Sequence, residues 1–408
     1  MSGKDSLQHR PQTRESAAAS PRWVPFAYGF RPFFLAALLY AAIGIAAWLW
    51  VRATGAMPLA ALPPALWHGH EMLFGFIGAA IAGFLLTAVP SWTGSRGFAG
   101  APLVALCSLW LLGRIGFCFA AHIPVTVLAW SELLFLPALA ILIAPPLVRA
   151  RNRNTPLLGV LLSLWLVDAV FLRALALQDL ALASKTLLVG VDIVLVLITV
   201  IGGRIVPAFT ANALRRRGID ARVRSYPALD AAVAISMIGI VALDATMPGE
   251  RWSGILAGVA ACLHLVRLAG WQGHRSLGEP IVWVLHASYL WLPIGLALKA
   301  AFLLQDAHWA SQWLHALTVG VAASMIVAVI TRASLGHTGR PLTVSSRVAV
   351  AYGLLCAAAL LRVLVGGSPV GREWMIRLSG GLWLTGFLIV LVAYLPVLLR
   401  PRVDGKPG

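Results

Sequence analysis

The stretch "WHGHEMLFGFIGAAIAGFLLTAVPSWTG", residues 67–94, decides the fold. Its apolar run is about as long as the roughly 20 residues a helix needs to cross a hydrocarbon core about 30 Å thick. It ends in Pro, Ser, Trp, Thr and Gly, which break a helix at the point of exit. Its entrance is different: His68, His70 and Glu71 stand at the mouth of the run. Polar groups are expensive in hydrocarbon unless something satisfies them. The run establishes a membrane span, and its entrance poses the functional question.

The rest of the chain agrees. Of 408 residues, 60% are hydrophobic and 12% charged, with a mean hydropathy of +0.85. A soluble domain carries about 25% charged residues. Apolar runs predict an all-α polytopic membrane protein with twelve spans. The first six fall near 30–52, 68–92, 101–121, 125–148, 156–177 and 183–208. The other six fall near 226–246, 252–270, 280–303, 311–332, 346–365 and 377–399. Residues 25–400 read as one membrane domain. Polar segments 1–24, without the apolar core of a signal peptide, and 401–408 read as cytoplasmic tails.

The net charge of +17 is not a nucleic-acid surface, because the cations alternate from loop to loop. One set of loops holds Arg96, Arg149, Arg151, Arg153, Arg215, Arg216, Arg217, Arg275, Arg340 and Arg400. The other set, including "LPPAL" and "AHIP", is nearly free of them. By the positive-inside rule both termini are cytoplasmic. Cys107, Cys118, Cys262 and Cys356 are scattered singly and read as buried, inert thiols; no CxxCH attaches a c-type haem.

This orientation puts His68, His70 and Glu71 at the outer end of the second span, and His315 at the outer end of the tenth. One histidine from each of two facing helices is an economical way to hold a bis-histidine, b-type haem. Residues i and i+2 of a helix lie about 200° apart, so His68 and His70 do not meet one iron together. His70 continues into Phe74, Ile77 and Ile81 along one face and is the preferred ligand, with His315 opposite. His68 would lie just before the helix, serving another metal or an interfacial hydrogen bond. Glu71 would support the ligand or handle a proton. A lone interfacial histidine is as often a simple anchor.

His264 and His286 share a depth near the inner ends of spans eight and nine, and a copper site is one use for them. Helix-packing histidines are the other, favoured for His264. Asp168 and Arg173 are a candidate ion pair. Spans two, six and ten each end in Gly or Pro breakers with polar residues. With Arg31, Arg204, Asn212, Arg332, His337 and Arg340 they predict a positive inner surface that a cavity, partner or anion uses, against a background of positive-inside anchoring.

Together "FRPFFL" (30–35), "WHGHEMLFGF" (67–76), "AGFLLTAVPSWTG" (82–94), "GGRIVPAFTAN" (202–212), "WVLHASYLWLPIGL" (283–296) and "HALTVGVAASMIVAVITRASLGHTGR" (315–340) resemble the NnrS family. The resemblance implies a haem- and copper-containing protein of the bacterial inner membrane, acting in nitric oxide stress, often during denitrification. It assigns no ligand role to any one histidine. The layout is also similar to the catalytic subunit of haem-copper oxidases, whose sixth and seventh helices carry copper ligands. Here those spans contain no histidine, which speaks against that centre. A secondary transporter and a non-catalytic sensor or assembly partner of a respiratory complex are the competing readings.

Overall fold

The computed structural model describes residues 24–55, 62–220, 222–368 and 370–406. Among them every regular element is helical, and twelve helices are long and apolar enough to cross a membrane. In chain order they are α1 (Phe30–Thr54), α2 (Pro64–Thr93), α3 (Ala101–Cys118), α4 (Val125–Arg149), α5 (Leu157–Ala176) and α6 (Leu180–Arg216). The second half holds α7 (Pro227–Thr246), α8 (Arg251–Gly270), α9 (Pro280–Gln305), α10 (His308–His337), α11 (Ser346–Gly367) and α12 (Arg372–Leu399). The predicted N-terminal tail lies almost wholly outside the described residues.

Two boundaries differ from the sequence expectation. Helix α2 begins at Pro64, a residue whose fixed φ suits the first helical turn. His68 therefore sits inside the helix, not before it. Helix α6 runs to Arg216, and its 37 residues span about 55 Å, well beyond the bilayer core. Its last turns carry Arg215 and Arg216 out of the hydrocarbon.

Neighbouring helices pack in sequence, and α12 returns against α1 to close a ring. The ends meet: Val24 N–H donates to the Leu399 carbonyl at 3.1 Å. Both described ends thus lie on one face, called here the terminal face. At the centre stand α2, α6 and α10, in mutual contact. In their most apolar stretches 83%, 78% and 67% of residues are buried, the highest shares of the twelve. These are the three helices whose exits stood out in the sequence.

Small residues let the central helices approach. A Cβ on Gly83 would fall 2.6 Å from the Phe34 ring and 3.2 Å from Phe33 Cβ. Close contact of this kind drives helix association where lipid competes for apolar surface. Gly83→Leu is expected to lower stability by about 1–3 kcal/mol through overpacking, read as a lower midpoint in detergent unfolding.

The two histidine-bearing helices share a further feature. Each changes from α to π geometry directly after its histidine turn, over Glu71–Ile77 in α2 and Ala316–Ala323 in α10. Single π turns inside α-helices concentrate at functional sites. The cysteines are free; Cys118 and Cys262 are exposed on the bundle surface instead of buried as expected.

Candidate functional site: a histidine-lined cavity and a row of voids

At the face opposite the termini, a cavity of about 370 Å³ opens among α1, α2, α6, α10, α11 and α12. His68 and His315 both line it, with Trp48, Met72, Arg362 and Trp383. The His68 ring stacks on Trp48, centroids 4.5 Å apart and planes 20° from parallel. Its Nδ1 is buried without a hydrogen-bond partner. A buried polar atom left unpaired is a rarity that asks for a ligand. Arg362 is held by Gln312, donating from Nη1 to Oε1 at 2.7 Å, and supplies the cavity's cation.

His70 is elsewhere. Its Nδ1 lies 3.0 Å from Glu71 Oε1, and its Nε2 lies 3.0 Å from Asp168 Oδ1 on α5. Phe117 and Phe171 stack on the ring, with centroids 3.9 and 4.8 Å away. The expectation of His70 opposite His315 is therefore not met: the structure brings His68 to His315 and turns His70 to the other side of α2. The π stretch explains the misreading. Its i→i+5 bonding widens the turn, so Ile77 leaves the face of His70 and lines the cavity of His68.

Around His70 lies a buried ionic cluster that the sequence reading largely missed. Arg114 of α3 donates from Nη1 to Glu71 Oε1 at 2.5 Å, and from Nη2 to both carboxylate oxygens of Glu132 on α4. Tyr40 donates its hydroxyl to Glu71. His70, Glu71, Arg114, Glu132 and Asp168 are all at most 5% exposed. Asp168 pairs with His70, while Arg173, its expected partner, is exposed. The available signal was single charges within apolar runs, as in "LLGRIGF" and "AWSELLF". The same signal marks Lys299, Asp244 and Asp192: Lys299 pairs with Asp244, which accepts from Ser253 at 2.6 Å. Asp192 is buried nearby, its Oδ2 unpaired.

A row of voids follows the central trio. A narrow apolar cavity of about 80 Å³ lies among α2, α6 and α10, lined by residues such as Ile81, Val194, Ile198 and Met325. Ile77 lines both it and the histidine cavity. Phe34, Phe84, Ile205 and Val329 line both it and a third cavity of about 310 Å³ towards the terminal face. Arg332 and His337 line that third cavity. The Arg332 guanidinium sits 3.7 Å from the Phe209 ring centre, with Nη1 buried and unpaired.

The remaining predicted residues separate. Arg31 caps the last helix, donating to the carbonyls of Leu398 at 2.8 Å and Arg400 at 2.7 Å. Arg204 donates to Asn154, Asn212 is exposed, and Arg340 has a buried, unpaired Nη1. Of that set, Arg332 and His337 share a cavity. His264 and His286 each use one nitrogen on a hydroxyl, Tyr289 at 2.8 Å and Thr210 at 2.7 Å. A chain of ring contacts through Tyr289 and Trp271 connects them. Among the described residues no cluster of three metal-ligating side chains includes either.

Fold and site together define a polytopic helical membrane protein with a histidine-lined cavity in its central helices. Residues 24–402 match the NnrS family, described as NnrS protein, and the chain belongs to that family. Membership relates it to the nitric oxide response. No curated protein matches the chain.

Proposed function

We propose that the chain holds a b-type haem in the cavity between His68 and His315, and that this haem meets nitric oxide or a species derived from it in the bacterial inner membrane. One observation carries the reading: two histidines from two central helices line a single cavity that also holds a cation and a stacked indole. The chemistry of the lining suits the group. Imidazoles are common axial ligands of haem iron. A pocket of a few hundred Å³ with mainly apolar walls and few polar groups is the usual form of a cofactor site. His68 Nδ1 has no hydrogen-bond partner, and Arg362 in the lining offers a cation that a propionate would pair with.

When bound, the haem supplies iron chemistry towards a small gas. The protein's part is to hold, orient and seal. Trp48 fixes the plane of the His68 ring. The apolar waist lets a small uncharged molecule pass along the bundle while opposing ions, whose desolvation is costly. That waist disfavours a solute carrier, whose substrate site lies at mid-membrane among broken helices. The alternation of loop charge supports an outer position for the histidine cavity.

The test is an optical spectrum of the purified protein, made with ample haem supply, reduced minus oxidised, with a pyridine haemochrome assay. A b-type spectrum that shifts on titration with nitric oxide is expected. Haem-free protein overturns the reading.

A further inference from the structure

The ionic cluster behind α2 is a site of its own. His70, Glu132 and Asp168 come from α2, α4 and α5, and each offers one ligand atom within 4.8 Å of the others. Glu71 accepts from Tyr40 and from Arg114 Nη1, and its Oε1 lies 3.0 Å from His70 Nδ1. A neutral imidazole has one N–H. With that proton directed to Glu71, the lone pair of Nε2 faces the Asp168 oxygen 3.0 Å away. Two lone pairs do not stand that close without a cation between them, a proton or a metal ion.

The charge balance says which kind. Three buried carboxyl groups, Glu71, Glu132 and Asp168, face one guanidinium, Arg114, so one divalent ion matches the excess when all three are ionised. Arg114 uses Nη1 on Glu71 and Nη2 on Glu132, while its buried Nε has no acceptor, a donor free for an oxygen the cluster does not supply. We propose that His70, Glu132 and Asp168 bind one divalent cation of the manganese, iron or zinc class, which neutralises the cluster. One imidazole and two carboxylates form a mainly hard, oxygen-rich set suited to these ions and poor in the soft donors that select copper(I). A 3.0 Å edge subtends about 90° at a metal roughly 2.1 Å from both atoms, an octahedral angle. The Glu71 contact at Nδ1 has the form that orients metal-bound histidines in general.

The site is distinct from the haem cavity, because His70 faces away from it. Manganese(II) and zinc(II) are each added to the full chain after chelator treatment and desalting, and bound metal per chain is counted. One tight ion per chain is expected, with nitrogen coupling from one imidazole in pulsed EPR of the manganese form. Asp168→Asn and Glu132→Gln should each weaken it by at least about tenfold. His68→Ala should leave it unchanged, so loss of haem and loss of this ion are separately visible. Wild type that takes up neither ion, or manganese bound without nitrogen coupling, overturns the proposal, as does binding undiminished in both carboxylate variants. The nitrogen coupling uses wild type alone, so the test stands even if the variants fail to fold.

Discussion

Replacing either His68 or His315 with alanine is expected to abolish haem binding, while His70→Asn leaves the haem spectrum in place in whatever protein folds. The two cavity histidines come from different central helices and are the residues that would hold the haem. Losing one imidazole would remove a donor that no other described residue lining the cavity replaces equally; Met72 is the one other side chain among them that haem iron accepts as a ligand. The measurement is haem per chain after purification, with the Soret band as readout. A spectrum lost in His70→Asn and kept in His68→Ala would reverse the assignment. Arg362→Leu serves as a graded control: it keeps both histidines and is expected to weaken haem retention without removing the b-type spectrum.

The second large effect falls on Arg114. Its guanidinium joins α3 to α2 and α4 through Glu71 and Glu132, all of them buried. Removing one member of a buried ion pair leaves its partners charged and unpaired, at a cost of about 3–5 kcal/mol. Arg114→Met thus leaves three acidic groups around His70 without their guanidinium partner. Sharply reduced yield or folding is expected, read by size-exclusion profile and by unfolding in a denaturing detergent. Removing the charges together should restore part of the loss, so Arg114→Met with Glu132→Gln is expected to be more stable than Arg114→Met alone. Equal stability of the single variant and wild type would show that the cluster contributes nothing to the bundle.

The histidine cavity and the ionic cluster lie on opposite sides of one helix, because His68 and His70 stand about 200° apart on its first α turns. The π stretch Glu71–Ile77 adds to both sites, Glu71 to the cluster and Met72 and Ile77 to the cavity. The corresponding π stretch of α10 follows His315. An α-helical wheel drawn through either segment assigns faces wrongly beyond the histidine turn.

The sequence by itself determined the twelve spans, because an apolar run of the right length has no other use in so apolar a chain. It also determined that spans two, six and ten are special, since breakers and polar residues at a helix exit are costly without a purpose. It placed His68, His70 and His315 at one depth. Which of the first two faces His315 was decided only by the tertiary structure. The reason is physical: hydrogen-bond register along α2 shifts from α to π, a change with no residue signature in "EMLFGFI". Partners were likewise hidden. Arg114, Glu132 and Asp168 were visible as single charges in apolar runs, but their meeting depends on how α3, α4 and α5, the three helices after α2, converge on His70 and Glu71. A lone charge in a span announces that it has a partner, and only the packed bundle names it.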